Sequence, residues 1–108
     1  TQLKTDIQNI ITDFKIGTDN TTPTAADVDL GASVFTDTVD EYDTATANKI
    51  TISCRVLTTE ANGNAIIEVG VFDSAGNMKT RKLVTVINKT SDIQMYLDFE
   101  YVLTVTET

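Results

Sequence analysis

The final stretch of the chain constrains its fold most. Met95, Leu97, Phe99, Tyr101, Leu103 and Val105 share one parity, while Gln94, Asp98, Glu100, Thr104 and Thr106 share the other, joined by Tyr96 and Val102. Side chains alternate across a strand, so this period of two describes a long β-strand with one face on a core and the other mostly wet. Such a strand needs neighbours for its backbone and a second layer for its apolar face. Partners for it lie upstream. Residues 34–40 form a loosely alternating, threonine-rich strand. Ile50, Ile52, Cys54 and Val56 alternate with Lys49, Thr51, Ser53 and Arg55, which makes a half-buried strand and places Cys54 among buried small hydrophobes. Residues 65–72 are a mostly apolar run, Asp73-Ser74-Ala75-Gly76-Asn77 is a turn, and residues 78–87 return as its hairpin partner.

The composition supports the same class. Twenty of the 108 residues are threonine, a β-branched residue that loses rotamer freedom in a helix and fits a pleated surface. Five or six strands with turn-rich spacing predict a mainly β fold, an antiparallel β-sandwich of immunoglobulin-like or jelly-roll-like type. A short N-terminal α-helix leads into it. Leu3, Ile7, Ile10, Ile11 and Phe14 fall at i, i+4, i+7, i+8 and i+11, one stripe of a 3.6-residue helix. The chain therefore divides into a helix over 1–15, a connecting loop over 16–33 and a sandwich over 34–108, all in a single domain with no internal repeat. Within the loop, Thr24 and Asp27 have the spacing of a reciprocal cap on one helical turn. The helical stripe has two readings: it covers an open face of its own domain, or it docks into a neighbouring subunit.

Charge and residue types exclude more than they assign. Eight basic against sixteen acidic residues give a net charge of −8, which disfavours binding to nucleic acid or anionic lipid. There is no histidine and only one cysteine, so neither an internal disulfide nor a cysteine-based zinc site is available. No apolar run approaches the length of a membrane helix, and none is expected to insert. The first residues carry neither the basic region nor the apolar stretch of a secretory leader, so ordinary export is not expected. No nucleophile and base stand at a recognisable spacing, and an enzyme is not expected. No cofactor is expected either.

Three groups invite a functional reading. Asp37, Asp40, Glu41 and Asp43 form an acidic cluster that could hold a hard cation weakly, although it lacks the glycine and terminal bidentate glutamate of an EF-hand loop. A solvated acidic loop is the plainer interpretation. Glu68 interrupts an apolar run; it is either exposed by alternation or buried, and if buried it needs a partner, for which Arg81 on the hairpin strand is the candidate. Asn20-Thr21-Thr22 and Asn88-Lys89-Thr90 fit the glycosylation pattern, which a threonine-rich chain matches easily by chance.

The order of several motifs resembles a family of tailed-virus (phage-type) tail-collar, tail-fibre and baseplate structural proteins. That family opens with a Gly-Thr-Gly-x-Thr-x-Pro-Thr-x-x-Asp-x-x-Leu-Gly stretch, matched here by Gly17, Thr18, Thr22, Pro23, Thr24, Asp27, Leu30 and Gly31, with Asp19 in place of the second glycine and Ala32-Ser33-Val34 where an acid–arginine pair often follows. It continues with an Asn-Gly pair, an Ile-x-Glu-x-Gly-Leu-Phe-Asp segment, a Gly-Asn hairpin and a Lys-Thr pair. Here these are Asn62-Gly63, then Glu68, Gly70, Phe72 and Asp73, then Gly76-Asn77 and Lys89-Thr90. The resemblance implies a non-enzymatic virion component, frequently a homotrimer, that contacts itself and other virion proteins on a tail, collar, baseplate or head vertex. The helix stripe, or Tyr96 and Val102 on the wet face of the last strand, would then be buried between subunits. Two alternatives are a capsid head-decoration or turret protein and, from another class, a cell-surface adhesin or carbohydrate-binding module. Glycan binding favours exposed aromatic platforms, and the chain has no tryptophan and three tyrosines.

Overall fold

The computed structural model describes residues 7–24, 26–46 and 48–102. It contains seven strands: β1 (Asp13–Gly17), β2 (Ser33–Thr38), β3 (Glu41–Asp43), β4 (Lys49–Val56), β5 (Asn64–Phe72), β6 (Met78–Lys89) and β7 (Met95–Val102). They form a four-stranded sheet ordered β2-β1-β5-β6 and a three-stranded sheet ordered β3-β4-β7, with every pairing antiparallel. One cluster of buried side chains unites the two sheets. Phe14 and Ile16 of β1 and Ile66, Val69 and Val71 of β5 meet Ile50, Ile52, Cys54 and Val56 of β4 and Met95, Leu97 and Phe99 of β7. The fold is thus the expected mainly β, antiparallel sandwich.

The alternation in β7 holds: Met95, Leu97 and Phe99 are buried, and Tyr96, Asp98, Glu100 and Val102 are exposed. Leu103 and Val105 lie outside the described residues. The hairpin joining β5 to β6 forms at the predicted turn. Asp73 Oδ1 accepts from the N–H groups of Ala75 and Asn77 at 2.9 and 2.8 Å, and Gly76 takes φ of 87°, where a side chain would be strained. Cys54 is buried, and desolvation pushes its thiol up to about 12, which leaves it protonated and inert.

The N-terminal segment corrects the sequence reading. The described helix covers only residues 7–10, and residues 13–17 are strand β1, paired with β2 on one side and β5 on the other. Phe14 fits the helical stripe, but Phe14 and Ile16 also alternate with Lys15, and two sheet neighbours outweigh one further helical turn. The connecting segment is correspondingly shorter, and β2 begins at Ser33. Within the described part of the stripe, the intramolecular reading holds for three residues. Ile11 and Phe14 belong to the core, and Ile7 packs against it. Ile10 is exposed, and Leu3 lies outside the described residues. Tyr42 adds an intersheet tie, its hydroxyl donating to the Ile11 carbonyl at 2.5 Å. Among the described residues, no helix is long and apolar enough to cross a membrane.

Candidate functional site

The most concentrated polar centre lies on the outer face of the four-stranded sheet. β5 is central there, and its residues face alternately inward and outward: Val69 and Val71 enter the core, whereas Glu68, Gly70 and Phe72 point away from it. These outward residues are nevertheless buried, because residues 18–24 and 26–32 fold back over them as a strap. Leu30 is buried against the strand at Gly70. Lys15 lies with its ammonium 4.5 Å from the centroid of the Phe72 ring and pairs with Asp29 at 3.3 Å.

Glu68 fastens the strap. Its Oε2 accepts the backbone N–H groups of Asp19 at 3.0 Å and Ala32 at 2.8 Å, and its Oε1 accepts that of Gly31 at 2.8 Å and Arg81 Nε at 2.9 Å. Both carboxylate oxygens are therefore occupied twice. Arg81 extends the centre to the strap's far end: Nη1 donates to the Thr21 carbonyl at 2.9 Å and to Asp27 at 3.4 Å. Two local turns shape the strap itself. Asp19 accepts from the N–H and hydroxyl of Thr21, and Asp27 accepts from those of Thr24, as the capping pattern predicted. Thr22 is exposed and Pro23 half-buried on the same loop, and Thr18 ties to the Ala32 carbonyl at 3.1 Å.

Of the two sequence readings of Glu68, burial against Arg81 is the observed one. Burial by itself would raise its carboxyl pKa. The N–H donors of Asp19 and Ala32, then Arg81 and Gly31, outweigh that effect and hold it below the ordinary value of 4.5. Local hydrogen bonds lower Asp19, Asp27 and Asp73 as well. A carboxyl depressed in the folded state contributes stability above its unfolded pKa and loses it as pH falls through the folded value. The thermal midpoint should therefore stay level from neutral pH to about pH 5 and fall steeply below about pH 4. Glu68→Gln, already lacking the ionised group, should show a shallower acid slope in the same scans.

Gly17 allows the strap to lie this close. A Cβ there would come within 2.5 Å of both the Ala32 carbonyl oxygen and Glu68 Oε2. Because one of these is backbone, the strap must shift, and Gly17→Ala is expected to destabilise by about 1–3 kcal/mol in urea unfolding, the range for overpacking. A neutral substitution would show that the strap is not held tightly.

A second buried polar contact joins two other motif segments. Lys89, 1% exposed, donates from Nζ to Asn62 Oδ1 at 2.8 Å and to the Thr90 carbonyl at 3.0 Å, while the Gly63 N–H donates to the Lys89 carbonyl. Sequence reading had no physical signal for this pair beyond the motif order.

The acidic cluster does not assemble into a cation site. Asp37 accepts from the Thr38 N–H, Asp40 from the Arg55 N–H and Asp43 from the Ala45 N–H, and Glu41 is exposed. Among the described residues, no group of three or more potential ligands converges. The three aspartates are each turned to a backbone amide. No protein-family model, curated protein or solved structure matches the chain.

Proposed function

We propose that this chain is a non-enzymatic structural component of a tailed-virus particle, an assembling piece of the collar, tail fibre or baseplate that works as a homotrimer. Its partners are other copies of itself and other virion proteins. The observation that carries this proposal is the convergence on Glu68. The segment from Gly17 to Gly31 and the segment from Glu68 to Asp73 are the two longest motifs shared with that family, and they meet at one buried carboxylate. Every acceptor position of that carboxylate is filled by the chain's own donors, so the centre is suited to holding a strap and offers no free group for acid–base or nucleophilic work. An acidic, disulfide-free sandwich braced in this way suits a part whose task is to be assembled. The adhesin alternative loses one of its few aromatics, since the Tyr42 hydroxyl is engaged between the sheets.

Light scattering over a range of concentrations tests the self-assembly. A species near three times the 11.8 kDa chain mass that survives dilution is expected, and a monomer at every concentration would overturn it. Immunogold labelling of tailed particles from cells carrying the gene tests the location. Label on the tail or baseplate is expected, label on the capsid favours the head-decoration alternative, and unlabelled particles remove the virion assignment.

A further inference from the structure

Three charged side chains are buried among the described residues: Glu68, Arg81 and Lys89. Glu68 and Arg81 pair with each other, whereas Lys89 forms no ion pair among the described residues. Its Nζ donates to two neutral oxygens, Asn62 Oδ1 at 2.8 Å and the Thr90 carbonyl at 3.0 Å. A buried ammonium without a counter-ion is less well compensated than a paired one. The side chain that meets it also stands out in the sequence. Asn62 is the only asparagine of the chain followed by glycine. Gly63 lacks the side chain that would hinder attack of its own nitrogen on the preceding amide, and the space where a Cβ would sit is open. Asn62 is exposed, so water reaches it. It stands in the β4–β5 turn between Ala61 and Gly63, whose φ angles are 56° and 87°.

From this we infer that Asn62 is a deamidation site, and that the aspartate it becomes completes a buried ion pair with Lys89. The Gly63 nitrogen adds to Asn62 Cγ, the Cγ–Nδ2 bond breaks, and Nδ2 leaves as ammonia with the Gly63 amide proton. Water then adds to Cγ of the cyclic imide. The bond from Cγ to the Gly63 nitrogen breaks, that nitrogen recovers a proton, and a carboxylate remains. Water is the only co-reactant. In both additions negative charge develops on Oδ1, the atom that Lys89 Nζ holds. The same contact selects the product. In an unfolded chain such an imide opens mostly at the main-chain carbonyl and yields isoaspartate. Here the ammonium polarises the Cγ carbonyl and directs water to it. Isoaspartate would also lengthen the backbone just before the β5–β6 ladder, where the Gly63 N–H donates to the Lys89 carbonyl at 2.9 Å and Asn64 lies opposite Lys89. That Gly63 hydrogen bond must open before the ring closes, which makes the conversion slow. Turns at strand ends open at little cost.

The test is to age the purified chain, folded and in urea, at mildly alkaline pH and to follow residue 62 by peptide mass mapping. Replacement of NH by O at residue 62 is expected in both samples, with aspartate predominant in the folded chain and isoaspartate in urea. Predominant isoaspartate in the folded chain, or no conversion there while the urea sample converts, would overturn the inference. So would a lasting loss of ammonia with Asn62 and Lys89 joined in one cross-linked peptide, because Lys89 itself would then have attacked. Asn62→Asp supplies the product directly. It is expected to raise the thermal midpoint by about 4–8 °C, since a hydrogen bond strengthens when its acceptor becomes charged. In a Lys89→Met background the same substitution should give no gain. Equal gains in both backgrounds, or none in the wild type, would show that carboxylate and ammonium do not pair. If Lys89→Met does not fold, the product ratio and the Asn62→Asp midpoint still decide. These outcomes are independent of the self-assembly proposed above.

Discussion

Glu68→Gln is expected to lower the unfolding free energy by about 3–5 kcal/mol, the cost of removing one member of a buried ion pair. The substitution preserves volume, so a cavity does not explain the loss. What changes is that one acceptor oxygen becomes an N–H donor among groups that are themselves donors: Asp19, Gly31 and Ala32 backbone amides and Arg81. Arg81, with a side chain only 4% exposed, keeps its charge and loses its closest counter-ion. The more distant carboxylates of Asp27 and Asp19, at 3.4 and 4.0 Å, are partly exposed and compensate weakly. Against a domain stability of about 5–15 kcal/mol, this is a large fraction. Limited proteolysis gives a second readout, because residues 18–32 should become cleavable at a lower protease dose. A loss under about 1 kcal/mol with an uncut strap would show that Glu68 is not what holds it.

Phe99→Ala is expected to cost about 3–5 kcal/mol, the range for truncating a buried aromatic. Phe99 is 7% exposed, belongs to the common cluster with Ile52 and Leu97 and lies opposite Ile52 in the β4–β7 register. Its neighbour in the same strand but on the other parity, Tyr96, is 69% exposed. Tyr96→Ala should stay within about 0.5 kcal/mol in the isolated subunit. The contrast between the two, measured by urea unfolding, isolates side-chain orientation from strand propensity. Equal losses would mean that the alternation of β7 does not set what is buried.

The elements that could be recognised from sequence share a property: their pattern excludes the competing period. In the final stretch of sequence, six apolar residues on one parity, four of them in β7, have no helical interpretation, and the Asp73–Asn77 turn and the Thr24–Asp27 cap are specified by local hydrogen bonds that any context allows. β1 lacked that property. Phe14 satisfies both periods, the strand is five residues long, and its identity depends on pairing with β2 and β5, which local sequence cannot encode. The polar centre was half legible. A glutamate within an apolar run signals either exposure or a compensated burial, and Arg81 could be named as the compensator. The three backbone donors could not, because they come from a loop 36 to 49 residues away in sequence. The acidic cluster shows the reverse case. Proximity in sequence suggested convergence, whereas Asp37 and Asp43 accept from amides one and two residues on and Asp40 from an amide of β4.

A charged residue on the central strand also acts as a proofreader of alignment. Shifting β5 by one residue against its neighbours exchanges its two faces. For most strands that error exposes some apolar surface and hides a few hydroxyls. Here it would drive the Glu68 carboxylate into the space between the sheets, where no arginine and no free amide await it, a penalty of several kcal/mol. The acceptable alignment is the one in which residues 19, 31, 32 and 81 have all arrived. Partly folded and slipped states therefore cannot share the native state's stabilisation, so one buried acid separates the native pairing from its nearest competitors.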